Sequence, residues 1–308
     1  MQRVLFALLV LVVGLGCSIS GLVPTSVPEP SLPSVVTPIA PTSVPELTPE
    51  ALRNAMYDVS EFFNAPTFVT LVDGHYSSGT DPTAEDYLQV SLGEVMAFGD
   101  LNYDGVNDAA AVLFLNTGGT GVFVYLAAVL NEDGLPLHVA SVFLGDRSVV
   151  ETLSIAAGEI LVQAVVHGPE DPMCCPSQPL EMGYRLYESE LVLSRLAEQT
   201  PGGLLRQINI TFPADLVTLD SPFTLTGHVS IGPFENTLTY NIYGPDNTLL
   251  TTSWVMTDSP EPGAPGSFSL PLDLTTLGVH GRVRIEIVEY SMEDGSVLTL
   301  DSVLVNVP

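Results

Sequence analysis

The sequence contains no lysine. Its only fixed positive charges are eight arginines, set against 36 acidic residues for a formal net charge of −28. A surface of that sign repels phosphate backbones, which excludes nucleic acid as a partner, and it suits divalent cations and an extracytoplasmic setting. Cysteine is scarce as well: Cys17 stands near the N-terminus, and Cys174 and Cys175 are adjacent. Catalytic signatures are missing. His75, His138, His167, His228 and His280 form no His-Glu-x-x-His pair, and there is neither a Gly-x-Ser-x-Gly elbow nor a Ser-x-x-Lys. The glycine loop Gly118–Gly121 has no following Lys and no helix start, so it reads as a tight strand connection and not a phosphate cradle. What remains is apolar residue in short Val-, Leu- and Ile-rich runs, which favours strands.

Residues 1–17 read as a targeting segment. Arg3 gives a short positive start, and Val4 to Gly16 is an uncharged apolar run too short to span a bilayer. It closes on Gly14-Leu15-Gly16-Cys17, which resembles a bacterial lipobox, with Gly14 where that motif usually has Leu. The resemblance implies a lipid attached to Cys17 and a protein anchored to the bacterial cell membrane and displayed at the cell surface. An ordinary secretory signal, with Cys17 incidental, is the alternative. Residues 18–47 read as a tether. Proline recurs throughout, and Pro-Thr-Ser-Val-Pro-Glu appears at 24–29 and again at 41–46. Such a stretch favours extended polyproline-like chain, and at about 3.1 Å per residue it could reach on the order of 80–90 Å.

The roughly 260 residues that follow have the length of two domains. The first, 48–197, opens on Thr48-Pro49-Glu50, an N-cap followed by Pro at the first helical position and an acid in the first turn. Leu52, Ala55 and Met56 would then share a helix face. Short strands separated by turn residues come next, which predicts an antiparallel meander with a helix laid on it, an α+β arrangement. Within it lies Phe98-Gly-Asp-Leu-Asn-Tyr-Asp-Gly-Val-Asn-Asp108. Asp100, Asn102, Asp104, the carbonyl of Val106, and Asp108 stand at alternating positions, a spacing that can turn oxygens toward a hard cation such as calcium. Position 12 of an EF-hand would be Ala111, already in an apolar run, so an EF-hand is excluded. The stretch resembles the strand-loop-strand calcium loop of the FG-GAP type. A plain Asp- and Asn-rich turn is the competing reading. With Gly118–Ala127, Leu144–Arg147 and Asp171–Pro176, this stretch makes 48–197 similar to an uncharacterised bacterial secreted domain, a resemblance that implies no known activity.

If Cys17 carries lipid, Cys174 and Cys175 can bond each other, bond another chain or stay free. In an oxidising compartment two free neighbouring thiols would not persist, and zinc would find only His167 nearby as a further ligand. A vicinal disulfide that rigidifies the loop is the expectation. Asp146-Arg147 reads as a local ion pair at a turn.

After Thr200-Pro-Gly-Gly203 the pattern becomes purely β. Phe223, Leu225, Gly227 and Val229 alternate with polar residues, as do Leu238, Tyr240 and Ile242, and Val283, Ile285 and Ile287. Seven alternating strands in about 105 residues predict an immunoglobulin-like sandwich over 204–308. Trp254 is expected in its core. Ile208–Pro213, Ser221–Gly227, Phe234-Glu235, Gly266–Leu270 and Glu289–Ser296, taken in order, resemble the immunoglobulin-like domain of bacterial spore germination proteins. That resemblance implies an envelope-exposed accessory module. The chain is thus expected to be a mainly β, two-domain, non-catalytic lipoprotein and a monomer, binding an envelope component or protein partner, with the Phe234-Glu235 turn as a candidate contact. A secreted hydrolase-type enzyme, its site assembled in the first domain from distant residues, is the alternative.

Overall fold

The computed structural model describes residues 44–63, 67–261 and 263–308. The targeting segment, Cys17 and residues 18–43 of the tether lie outside these. The last tether residues are within them and are docked: Leu47 is buried, and the Pro45 carbonyl accepts the Asn131 side-chain amide at 2.9 Å.

The expected helix is a single turn, α1 (Pro49–Arg53), capped by the Thr48 hydroxyl, which accepts the Ala51 N–H. Leu52 and Ala55 are buried, but Met56 is 53% exposed because the chain has already become extended. That strand, β1 (Met56–Asp58), leads through a second short turn, α2 (Ser60–Phe63), to its antiparallel partner β2 (Phe68–Thr70). A five-stranded antiparallel meander follows: β3 (His75–Ser78), β4 (Leu88–Gly99), β5 (Asp108–Asn116), β6 (Phe123–Glu132) and β7 (Leu135–Asp146). Its middle strands are covered on both faces. From β5, Ala109, Ala111, Leu113 and Leu115 face the cluster under α1 and the β1–β2 pair. Ala110 and Val112 face the opposite cluster. A strand buried on both sides has no polar face to show, which is why 109–115 reads as an unbroken apolar run.

The second cluster is closed by another antiparallel run: β8 (Val149–Ala156), β9 (Glu159–Val166), β10 (Gln178–Tyr187) and β11 (Glu190–Gln199). Ile160, Val162, Ala164, Met182 and Tyr184 from this layer pack against Val112, Val124, Leu126 and Ala128 of the meander. The first lobe is therefore two sheets face to face, with the helical turns confined to one end of its sequence.

The C-terminal lobe is the expected sandwich. After β12 (Leu205–Arg206), the strands β13 (Ile208–Phe212), β15 (Phe223–Val229) and β18 (Gly266–Leu272) form one sheet, with the short β14 (Val217–Thr218) between β13 and β15 in sequence. The facing sheet holds β16 (Thr237–Tyr243), β17 (Leu249–Met256), β19 (Gly281–Tyr290) and β20 (Val297–Val307). Inward residues of both sheets, among them Leu225, Phe268, Ile242, Ile285 and Val303, make the core.

The two lobes share a sheet. Arg195 and Leu196 of β11 pair with Asp301 and Leu300 of β20, so one ladder runs from β8 to β17 across the turn at Thr200–Gly203. Polar groups reinforce the seam. The Thr299 hydroxyl donates to the Leu196 carbonyl at 2.7 Å, and the Ser302 hydroxyl donates to the Ser194 carbonyl at 2.8 Å. Arg185 pairs with Glu159 and Asp215, Arg195 with Glu159 and Asp301, and Arg206 with Glu198 and Glu289.

Candidate functional site

Asp108 opens β5 fully buried, and both its oxygens are spoken for: one accepts the Leu101 N–H at 2.8 Å, the other the Asn131 N–H at 2.9 Å. Burial pushes its carboxyl up, and those two amide bonds oppose the shift. Asp100 accepts the N–H groups of Tyr103, Asp104 and Gly105 at 2.6, 3.2 and 2.9 Å. Asp104 accepts the Val106 N–H at 2.7 Å and the Asn102 side-chain amide at 2.9 Å. The short oxygen-bearing side chains thus wrap the loop around its own backbone donors. Among the described residues no three His, Cys, Asp or Glu side chains converge as a metal would need. The donor type and order still fit calcium: Oδ1 of Asp100 already accepts two N–H groups, but its Oδ2 and the oxygens of Asp104 and Asp108 each accept one donor and keep a second lone pair. A visible product of the wrapping is Tyr103, held at φ 66°, with its hydroxyl donating to the Ala157 carbonyl at 2.8 Å.

Cys174 and Cys175 are joined in a vicinal disulfide. Their loop is organised by two charged neighbours. Asp171 accepts the N–H groups of Gly168 and Ser177 and the Ser177 hydroxyl at 2.8, 2.7 and 2.7 Å. Arg147 pairs with Asp146 and reaches the carbonyls of Thr120 and Met173, which ties the glycine loop to the cysteine loop. The Asp146-Arg147 pair therefore organises two loops in addition to its own turn.

His138 is the only histidine whose surroundings look like chemistry. Its Nε2 lies 2.9 Å from the Ser141 hydroxyl, and Asp58 is adjacent. The connection to Asp58, however, runs through the backbone: the Asp58 N–H donates to Nδ1 at 3.1 Å. With Nδ1 accepting, the neutral ring carries its proton on Nε2 and donates to Ser141, the reverse of what a base activating a serine requires. Burial lowers the His138 pKa to about 4, with Asp58 opposing, so the ring is neutral at physiological pH. His75 lies on β3, and His167 follows β9.

Trp254 is 63% exposed, not in the core. On β17 the residue that turns inward is Val255, at 5%, so Trp254 and Met256 necessarily turn out. Among the described residues β16 is the one strand laddered to β17, so the outer edge of this strand is unpaired up to the bridge between Thr257 and Phe268. Phe234, 63% exposed, precedes Thr237, which pairs with Met256 at the end of the same strand. The candidate turn therefore precedes the strand that is laddered to the tryptophan strand. Sequence reading missed Trp254 because a single tryptophan is a core residue by default. The signal was there in the alternation, since the inward register of β17 belongs to Val255.

Two small sheets packed face to face, with strands that cross from one hairpin to the next, define the C-terminal lobe as an immunoglobulin-like sandwich, a class that binds through edges and loops. Residues 207–296, from the start of β13 into the turn before β20, match the family model described as the immunoglobulin-like domain of bacterial spore germination. No curated protein matches the chain.

Proposed function

We propose that the chain is a non-catalytic, lipid-anchored lipoprotein of the bacterial cell surface, whose immunoglobulin-like lobe takes an extended segment of an envelope protein by strand addition at β17. The observation that carries this reading is the unpaired edge strand bearing the exposed Trp254 and Met256. An exposed apolar edge is a hazard that proteins ordinarily blunt with charge or proline, so its retention favours a use. Strand addition supplies backbone hydrogen bonds, and outward side chains supply selectivity. The net charge of −28 favours a partner segment carrying basic residues, whose capture weakens with salt. The lipobox-like Cys17 and the proline-rich tether fit a module held away from a membrane. Calcium at Asp100, Asn102, Asp104, Val106 and Asp108 belongs to the same proposal, as a brace for the first lobe.

The test uses the full chain with Cys17→Ser, immobilised and probed with envelope fractions in parallel with a broad hydrolase screen. Specific capture should fall at least tenfold in Trp254→Ser, with the fold intact. Turnover of a substrate, lost when His138 or a first-lobe acid is replaced, would instead establish the hydrolase alternative.

A further inference from the structure

Seven arginines fall among the described residues, and six of them are ion-paired with carboxylates. Arg282 is the exception. It stands exposed at the start of β19 and lies over a ring: its guanidinium carbon is 4.3 Å from the centroid of Tyr103. In a chain with 36 acids, a guanidinium left without a carboxylate is held on an aromatic face with its hydrogen-bonding edge available.

Tyr103 is delivered by the aspartate loop and fixed from two sides. Its N–H is held by Asp100, and its hydroxyl accepts from Arg185 Nη1 at 2.9 Å. The ring passes directly over Gly158, where a Cβ would come within 2.3 Å of it. Between this ring, the end of β10 and the start of β19 lies a cleft of about 400 Å³, within the range of small-molecule sites. One wall comes from the first lobe, with Tyr103, Arg185 and Tyr187, and the other from the immunoglobulin-like lobe, with Asn247 and Arg282. Two buried polar atoms in this wall have no partner, Nε of Arg185, a residue only 4% exposed, and the hydroxyl of Tyr187. Both atoms are closed to solvent, so what a guest meets in the cleft is the exposed edge of Arg282. Glu188, Glu190 and Asp246 stand exposed at the rim.

We propose that this cleft binds a small zwitterionic ligand carrying one carboxylate and one ammonium, such as a free amino acid or a dipeptide. The Arg282 fork matches a carboxylate, while the rim acids receive the ammonium. The field of the whole protein selects against the alternatives. A polyanion is repelled by the net charge of −28, and a simple cation finds acids everywhere and gains nothing from Arg282. A zwitterion brings no net charge and uses both halves of the site. The cleft is separate from the β17 edge, so either can fail alone.

The test is calorimetric titration of the full chain carrying Cys17→Ser with a panel of amino acids and dipeptides, alanyl-alanine first, alongside acetate and methylammonium. At least one zwitterion should bind at one site per chain, at least about tenfold tighter than acetate or methylammonium. Arg282→Ala should weaken it about tenfold or more, Arg282→Lys less, and Trp254→Ser not at all. Tyr103→Ala should weaken it too, and because that variant can loosen the loop, the exposed Arg282 variants carry the decision. No binding by any member of the panel, acetate binding as tightly as the zwitterions, or an unchanged affinity in Arg282→Ala would each overturn the proposal.

Discussion

His138 and Asp301 titrate in overlapping windows with opposite consequences for stability. Burial holds His138 at about 4, below its ordinary 6.5, so the fold loses stability as pH falls from about 6.5 to 4 and the unfolded chain takes up the proton. Burial raises Asp301 from 3.8 to about 6, against the pull of Arg195, so the fold loses stability as pH rises across that interval. Asp301→Asn should therefore gain on the parent as pH rises from about 4 to 6, by at most ~3 kcal/mol. It keeps an acceptor for the Ile210 N–H, and the Arg195 it abandons is 43% exposed. His138→Asn, which keeps an acceptor for the Asp58 N–H, should gain on the parent as pH falls from about 6.5 to 4. Urea titrations at three pH values read both slopes, and parallel curves for parent and variant would contradict the assignment. Residue identity alone could not have announced this pair. His138 and Asp301 sit in ordinary strand patterns, and what displaces them is burial by distant elements.

At the scale of elements, the aspartate loop and the cysteine loop invite removal experiments. A calcium ion at the first should raise the melting temperature, since a ligand at a hundred times its dissociation constant adds about 2.7 kcal/mol. Chelator should reverse the gain, and Asp104→Asn should shrink it. Equal melting temperatures in calcium and in chelator would leave the amide network as the loop's whole support. Gentle reduction of the Cys174–Cys175 bridge should raise the intact mass by about 2 Da, the two hydrogens a cleaved disulfide takes up, without changing the oligomer. A disulfide-linked dimer on a non-reducing gel would contradict the pairing. The places of these loops were legible because their signals are local, a run of turn-forming residues in one case and an adjacency in the other. The strands of the C-terminal lobe were legible through their two-residue alternation, and β5 through its unbroken apolar run. By contrast β1 and β3 are three and four residues long, too short to show a period. The cleft around Tyr103, Arg185 and Arg282 was invisible, since it gathers residues from three remote segments. One sequence hint existed: Arg284 has Glu286 two positions on along its strand face, while Arg282 is flanked at that spacing by His280 and Arg284.

For the whole molecule the decisive feature is the ladder from β11 to β20. Its two strands are so remote in sequence that Leu196 and Thr299, 103 residues apart, are joined by a hydrogen bond. No local pattern announces such a pairing, and Thr200-Pro-Gly-Gly203 looks from sequence like a linker. The seam predicts one calorimetric transition for residues 44–308, because neither lobe can unfold without stripping the other's edge and parting Asp301 from Arg195 and Asp215 from Arg185. Two well-separated transitions would show that the lobes melt independently. A 204–308 fragment should be less stable than the same lobe in the intact chain and more prone to self-association, since the β20 edge would be open.

The same seam decides how the protein bears load. Were a partner on β17 to pull against a tether leaving the first lobe before Pro45, the tension would pass through paired strands and the ion pairs beside them, with no slack hinge to extend first. Stretched between residues 44 and 254 in an optical trap, the chain should lengthen in one abrupt step. Such an object behaves as a strut and not as beads on a string.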